Sequence, residues 1–110
     1  MEERGSILLS REFLQWEWYE DTNVKLLFIH LHLTVNREYS MWRRIEINRG
    51  QRGVVMRDLE AETRLTRQEL RTAIDKLKLS NEITAEATKT HTIITVNNYD
   101  KYSATLLEIN

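Results

Sequence analysis

The sequence predicts a mixed α+β fold, because two kinds of hydrophobic periodicity occur in separate parts of the chain. In residues 22–35 and 66–78, apolar side chains recur every three or four positions, which is the spacing of one helix face. Residues 42–48 and 83–88 instead alternate between apolar and polar side chains, as half-buried strands do, and residues 92–96 are β-branched throughout. At 110 residues, 41% hydrophobic and 30% charged, the chain suits one globular domain with a single core.

Two helices are expected in the N-terminal third. Residues 10–19 predict the first, with Ser10 as its N-cap, and residues 22–35 predict the second, capped by Asp21 or Thr22. The main apolar face of the second helix consists of Val24, Leu27, Phe28, Leu31 and Val35. Three more apolar residues lie off that face: Leu26, Ile29 and Leu33. We therefore expect this helix to be buried on more than one side, either between the first helix and the rest of the domain or at a dimer contact.

The middle of the chain predicts a strand, a turn and a short helix. Alternation places the strand in residues 42–48, and Gly50 suits the turn that follows, because glycine tolerates positive φ. The short helix is expected near residues 56–63, with Leu59 facing inward. A two-residue connection, Arg64-Leu65, then leads to the next helix.

The helix of residues 66–78 has the clearest signals in the chain. Thr66 and Glu69 form a Thr-x-x-Glu capping box, in which each side chain bonds a free backbone N–H of the first turn. The predicted core face consists of Leu70, Ala73, Ile74 and Leu77. This helix is therefore expected to dock on the core along one side and to leave the other side in solvent.

A β-hairpin is expected at residues 83–96, because its second half is β-branched throughout. Lys89 and Thr90 form its natural tip. The domain is predicted to cover residues 1–103, and the apolar residues 104–110 to begin a linker or a truncated C-terminal region.

In sequence order the predicted elements are two helices, a strand, a short helix, a tight turn, a longer helix and a hairpin. From the strand onward this is the order of a winged helix-turn-helix with a β-hairpin wing, and the first two helices are extra N-terminal elements. In that fold the second helix of the pair enters the major groove, and the wing lies against the neighbouring backbone. The sequence therefore predicts a domain that binds double-stranded DNA.

The candidate DNA-binding residues lie before helix 66–78, on its outward face and at the hairpin tip. Arg67 and Gln68 fall in the first turn, where recognition helices reach deepest and the helix dipole attracts phosphate. The full set is Arg64, Thr66, Arg67, Gln68, Arg71, Thr72, Lys89 and Thr90. The alternative is an outer face that is only solvated. Asp75 and Glu69 on the same helix would repel phosphate.

The distribution of charge is more informative than its total. The net charge is −1, which by itself gives no support to nucleic-acid binding. Residues 41–79 hold ten Lys/Arg and six Asp/Glu, whereas residues 1–40 hold four and seven and residues 80–110 hold two and four. A basic block between two acidic ones favours a polyanionic partner, unless the distribution arises by chance.

Other kinds of site lack their sequence features. The chain has no cysteine and three glycines, so it contains neither a thiolate metal site nor a glycine-rich phosphate loop. His30 and His32 are two residues apart on a helix, so their side chains diverge by about 200° and cannot share one ion. The aromatic residues Trp16, Trp18 and Tyr19 fit a core better than a base-stacking platform. No nucleophile has an evident base partner, so we expect no enzyme activity, no cofactor and no metal.

A cytoplasmic location without membrane contact is also expected. No apolar run in the sequence reaches the roughly 18–20 residues that cross a bilayer. The first residues, Met-Glu-Glu-Arg-Gly, are acidic and lack the basic start of a secretory signal.

Several of these segments together resemble one family. The resembling pieces are Trp16-Glu17-Trp18-Tyr19, Leu27-Phe28-Ile29-His30-Leu31, Asn36, Ile45-Glu46-Ile47-Asn48-Arg49-Gly50-Gln51, Glu62-Thr63, Leu65-Thr66, Gln68, Arg71-Thr72-Ala73, Leu77, Glu82-Ile83-Thr84 and Ile93 to Tyr102. Over nearly residues 7 to 102, the chain resembles the N-terminal winged-helix domain of phage and prophage replisome organisers, which are DnaD-like replication initiation proteins.

The resemblance implies a role in starting replication, by binding origin DNA and helping to recruit helicase-loading proteins. It also implies a C-terminal region beyond this domain, and DnaD-like N-terminal domains can serve oligomerisation rather than DNA reading. Two positions depart from the family's pattern. Val55 replaces the serine cap of the first helix of the pair, and Arg64 replaces the glycine of the turn between the helices.

Two hypotheses follow from the sequence. In the first, helix 66–78 and the wing bind DNA, so that Arg67→Ala with Arg71→Ala lowers duplex affinity. In the second, helices 10–19 and 22–35 form an apolar interface for a homodimer, a higher oligomer or another replication protein. A transcriptional regulator would present the same residues as a replication protein, so only the resemblance favours replication.

Overall fold

The computed structural model describes residues 5–104 and confirms the mixed α+β class. Its helices are a 3-10 helix at Arg11–Gln15 and the α-helices α1 (Thr22–Thr34), α2 (Met56–Thr63), α3 (Arg67–Leu79) and α4 (Tyr99–Tyr102). Its strands are β1 (Ser6–Ile7), β2 (Ser40–Trp42), β3 (Ile45–Ile47), β4 (Gln51–Val54), β5 (Ile83–Ala87), β6 (Thr92–Val96) and β7 (Ser103–Ala104). The tail predicted from residue 104 lies, from residue 105 onward, outside the described residues.

The largest sheet has three antiparallel strands in the order β4-β6-β5. The predicted hairpin forms its β5–β6 half, with Ile83 opposite Val96 and Ala87 opposite Thr92. Strand β4 pairs with the other edge of β6, so the strand that precedes α2 is joined to the hairpin that follows α3. The pairing of β4 with β6 holds α2 and α3, which lie between β4 and β5 in sequence, in a fixed place relative to the hairpin. The other strands form two small antiparallel pairs, β2–β3 and β1–β7.

The core lies where α1 and α3 pack on each other and on the sheet. The predicted apolar faces are confirmed, because the following residues are all buried: Val24, Leu27, Phe28, Leu31, Val35, Leu59, Leu70, Ala73, Ile74 and Leu77. Leu26 and Leu33, off the main face of α1, remain 41% and 61% exposed to solvent in the described chain. The expected burial of α1 on more than one side therefore does not extend to these two leucines.

The helix predicted for residues 10–19 is shorter and tighter than expected. Ser10 is its N-cap, as predicted, and accepts a hydrogen bond from the Glu12 N–H, but the 3-10 helix ends at an extended Trp16. The Trp16 ring lies 4.5 Å from the Phe28 ring, and the Trp18 indole donates to Ser80 Oγ at 2.9 Å. Because a continued helix would separate these contacts, tertiary packing overrides the local helix signal here.

The single strand predicted for residues 42–48 is wrong, because the chain forms a hairpin there instead. Strands β2 and β3 pair with Ser40 opposite Ile47 and Trp42 opposite Ile45. The two residues between them, Arg43 and Arg44, have φ angles of 51° and 66°. Positive φ at both central positions is the mark of a tight two-residue hairpin turn, which glycine or asparagine usually supplies.

Helices α2 and α3 form close to where the sequence predicts them. Helix α2 covers the predicted residues 56–63, with Leu59 fully buried and no side-chain cap from Val55. Arg64 ends α2 in the left-handed region at φ 64°. The capping box of Thr66 and Glu69 is present at the start of α3.

Candidate functional site

A cleft of about 730 Å³ lies between α3 and the β5–β6 hairpin. The first turn of α2 and the β2–β3 turn close its ends. Its cationic lining residues are Arg43, Arg57, Arg67, Arg71, Lys78 and Lys89. Among the described residues that line it, Asp75 is the single carboxylate. We call this surface the basic cleft. It concentrates positive charge on a chain whose net charge is −1.

Helix α3 supplies the inner wall of the basic cleft. Arg67, Arg71 and Lys78 are four and seven residues apart, which places them on one face of an α-helix. The capping box fixes the start of that face, since Thr66 Oγ1 accepts from the Glu69 N–H at 3.1 Å and Glu69 Oε1 accepts from the Thr66 N–H at 2.8 Å. The hydrogen bond from the Thr66 backbone is the main reason that the pKa of Glu69 is lowered.

The cations of the basic cleft differ in how far they are neutralised. Glu60 Oε2 accepts from Arg67 Nε at 3.1 Å and from Arg67 Nη2 at 2.9 Å, so Arg67 already has an anionic partner. Within residues 5–104, no carboxylate lies within 4.0 Å of a charged nitrogen of Arg71, Lys78 or Lys89. These three side chains therefore offer their charge to an incoming anion without first breaking an ion pair.

The tip of the β5–β6 hairpin is held in one shape by its own hydroxyl groups. Thr88 Oγ1 accepts from the backbone N–H groups of Thr90 at 3.3 Å and His91 at 3.2 Å. The Thr88 N–H donates to the His91 carbonyl at 2.8 Å. Lys89 is thus exposed at the apex of an ordered turn, where binding costs it little backbone entropy.

The first turn of α2 lines the basic cleft at Val55, Met56 and Arg57. Val55 has no side chain that could cap the helix, and the structure records no side-chain cap there. The positive end of the helix dipole therefore lies at the cleft, and Asp58 in the same turn, 3.9 Å from Arg57 Nε, offsets part of that charge.

An ion network fixes α2 relative to α1 and β4. Arg52 Nη2 donates to Glu62 Oε2 at 2.6 Å, and His30 Nε2 lies 2.8 Å from Glu62 Oε1. Arg52 Nη1 also donates to Thr34 Oγ1 at 2.9 Å. The Arg52 hydrogen bond is the largest cause of the fall in the pKa of Glu62 to about 2. The carboxylate is therefore ionised at neutral pH, and the network holds the α2–α3 pair in a fixed orientation.

The structure brings four of the eight predicted site residues together. Arg67, Arg71, Lys89 and Thr90 all line the basic cleft. The other four lie elsewhere, as follows: Gln68 and Thr72 line a separate cleft of about 160 Å³ beside the start of α1, the Thr66 hydroxyl is engaged in the capping box, and Arg64 lines neither cleft.

Three cations of the basic cleft were missed by sequence reasoning. Lys78 could have been found, because it lies eleven residues after Arg67, which is three helical turns and therefore the same face. Arg57 could have been suspected from its place in the first turn of α2. Arg43 carries no local signal, because only the folding of the β2–β3 hairpin brings it to the cleft.

In residues 5–104, no group of three His, Cys, Asp or Glu side chains is arranged to hold a metal ion. No helix in that part of the chain is both long and apolar enough to cross a bilayer.

Compared with known proteins, the chain matches no protein-family model, no curated protein and no solved structure.

Proposed function

We propose that the chain is a winged helix-turn-helix domain that binds double-stranded DNA through the basic cleft. The observation that carries the proposal is the cleft's lining, six Lys/Arg side chains against one Asp. A concave surface of that charge attracts a polyanion, and its cations would neutralise DNA phosphates and release the counterions condensed on them, which favours binding.

The element order supports the winged-helix assignment. Strand β4 precedes the pair α2–α3, the hairpin β5–β6 follows it, and β6 pairs with both β4 and β5. In winged helix-turn-helix domains the second helix of the pair lies in the major groove and the hairpin contacts the adjoining backbone. Here those parts are α3 and the β5–β6 hairpin, with the basic cleft between them to take one phosphate strand.

Four cations of the basic cleft have distinct roles in this proposal: Arg67, Arg71, Lys78 and Lys89. Arg71, Lys78 and Lys89 bind phosphates, because they bear free charge at the wall and rim. Arg67, in the first turn of α3, faces base edges, where its guanidinium group can form paired hydrogen bonds. Arg67 would exchange the Glu60 carboxylate for DNA. Because Asp75 repels phosphate, it would favour a register that places it away from the backbone.

The biological role we propose is phage-type replication initiation, with origin binding, and no catalytic step. It rests on the resemblance to replisome organisers described above. A transcriptional regulator is the alternative within the same binding class, because it would use the same surface.

A paired-variant binding assay tests the proposal. Arg71→Ala with Lys89→Ala removes two unpaired cations from the cleft, whereas Arg11→Gln with Lys101→Gln removes two exposed cations outside it. At about 50 mM salt the cleft variant should bind random duplex DNA about tenfold more weakly, and its log–log salt slope should be shallower by about two units. The control should bind like the wild type. Equal binding by the wild type and the cleft variant would reject the proposal.

A second candidate function, self-association, is favoured by the outer face of α1. Leu26, Ile29 and Leu33 recur at i, i+3 and i+7, which is the spacing of a helix–helix seam. Leu26 and Leu33 are 41% and 61% exposed in the described chain, and Ile29 between them also packs partly against the core. Light scattering should then show a dimer that Leu26→Lys with Leu33→Lys converts to a monomer. A wild-type monomer at high concentration would remove this candidate and leave DNA binding untouched.

A further inference from the structure

We propose that the β2–β3 hairpin is a second DNA-binding finger, whose Arg43 and Arg44 bind the phosphate backbone beside the wing. The inference rests on the proposed function and deepens it, because it adds a contact that helix-turn-helix geometry alone does not supply. Four observations support it: the conformation of the turn, its attachment, its position and its charge.

The turn has an unusual composition for its conformation. Arg43 and Arg44 both have positive φ, at 51° and 66°. For residues with a Cβ atom this region is strained, and asparagine and glycine normally occupy it in a two-residue hairpin. Two arginines therefore destabilise the turn. Backbone strain at an exposed tip points to a function that the side chains perform.

Trp42 anchors the hairpin to the main sheet. Its six-membered ring covers Gly53 in β4 so closely that a Cβ atom at that position would overlap the ring. The same indole meets the His91 ring edge-on, with 5.5 Å between the ring centroids. Because His91 belongs to the tip region of the β5–β6 hairpin, the two hairpins are packed side by side.

This attachment brings the turn to the basic cleft. Arg43 lines the cleft together with Lys89 and Thr90 of the wing tip. Its guanidinium carbon lies 4.8 Å from the centre of a Trp42 ring, which holds the charged group near the rim. Arg44, the next residue in the turn, is exposed.

The charge of the turn is uncompensated in the described chain. Between residues 5 and 104, no carboxylate lies within 4.0 Å of a charged nitrogen of Arg43 or Arg44. The carboxylate of the hairpin itself, Glu46, accepts a hydrogen bond from Tyr39 Oη at 3.2 Å. Two free guanidinium groups next to the wing tip fit a phosphodiester backbone, since guanidinium pairs with phosphate through two parallel hydrogen bonds.

Replacing the turn with Arg43→Asn and Arg44→Gly separates binding from stability. The variant removes two charges and gives the turn the residues its conformation favours. We expect the thermal unfolding midpoint to rise while affinity for random duplex DNA falls about tenfold, with a salt slope shallower by one to two units, about one per lost phosphate contact. Unchanged affinity in this folded variant would overturn the inference.

Two further variants distinguish a failure of this inference from a failure of the proposed function. Arg43→Gln with Arg44→Gln removes the same charges but keeps the strained turn, so it should lose as much affinity with no gain in the midpoint. If it binds like the wild type while the Asn-Gly variant does not, turn shape rather than charge matters, and the inference is overturned. The Arg71→Ala, Lys89→Ala variant tests the basic cleft itself. If it loses DNA affinity while neither turn variant does, only the role of the β2–β3 hairpin is rejected. If it keeps its DNA affinity, the proposed function is rejected.

Discussion

His32 lies on the buried side of α1, within a cluster of aromatic rings. It is 3% exposed, and its ring centroid lies 4.5 Å from that of Phe28 and 4.8 Å from that of Tyr102. Neither ring nitrogen has a hydrogen-bond partner among the described residues. Burial lowers the pKa of His32 from 6.5 to about 4, because the charged ring would lose its hydration. The folded chain therefore holds this histidine neutral.

The lowered pKa makes folding depend on pH. The unfolded chain protonates His32 near pH 6.5 and the folded chain only near pH 4, so the unfolded state binds more protons between these values. Stability is therefore complete above about pH 6.5 and is lost as the pH falls toward 4. His32→Phe removes this linkage and fits the aromatic cluster. Between about pH 7.5 and about pH 5, its advantage over the wild type in the free energy of unfolding should grow by about 2 kcal/mol.

Urea unfolding of the two proteins at both pH values measures this difference directly. Because other titrating groups are common to both proteins, their contributions cancel in the comparison. An advantage that stays constant between the two pH values would mean that His32 is not held neutral by burial.

At the scale of the element, the junction between α2 and α3 combines precise packing with local strain. Arg64 closes α2 at φ 64°, and its N–H donates to the Glu60 carbonyl at 2.9 Å. Glycine reaches this conformation without the strain that a Cβ atom adds. Arg64→Gly should therefore raise the free energy of unfolding by about 1 kcal/mol.

Arg64→Ala is the matched control for that prediction, because it removes the same charge and keeps the Cβ atom. Chemical denaturation should show no comparable gain for alanine. If alanine stabilises as much as glycine, then the charge of Arg64, and not its backbone conformation, is what destabilises the junction.

The elements that the sequence predicted well are those whose signals are local. Helix α3 has its cap, its box partner and its apolar face within residues 66–77, and the β5–β6 hairpin has alternation before its tip and β-branched residues after it. The β2–β3 hairpin was missed because Arg43 and Arg44 are not turn-forming residues. The helix predicted for residues 10–19 was too long, because two tertiary contacts determine where the 3-10 helix ends. Trp16 contacts α1, and Trp18 contacts Ser80, which follows α3.

The residues of the candidate site also differ in whether a local sequence signal identifies them. Arg67, Arg71 and Lys89 could be named from the sequence, because one helix face and one hairpin tip carry them. Arg43 reaches the same cleft through the packing of Trp42 on Gly53, two residues eleven positions apart with no sequence pattern joining them. That contact depends on tertiary structure, and so does the position of Arg43 at the cleft.

At the scale of the whole molecule, positive charge is concentrated at the basic cleft. Five of the ten Lys/Arg residues in 41–79 line the cleft between α3 and the β5–β6 hairpin, while the chain as a whole has a net charge of −1. The exposed leucines of α1 lie outside that cleft. The two proposed functions, DNA binding and self-association, therefore involve separate surfaces.

The most direct test of DNA binding through the basic cleft is to titrate the isotope-labelled protein with a short random duplex and to follow every backbone amide by NMR. We expect shift changes at the start of α2, along the Arg67–Lys78 face of α3, at residues 88–91 and at the β2–β3 turn, all diminishing with added salt. Changes confined to α1, or none at DNA concentrations well above that of the protein, would contradict the assignment.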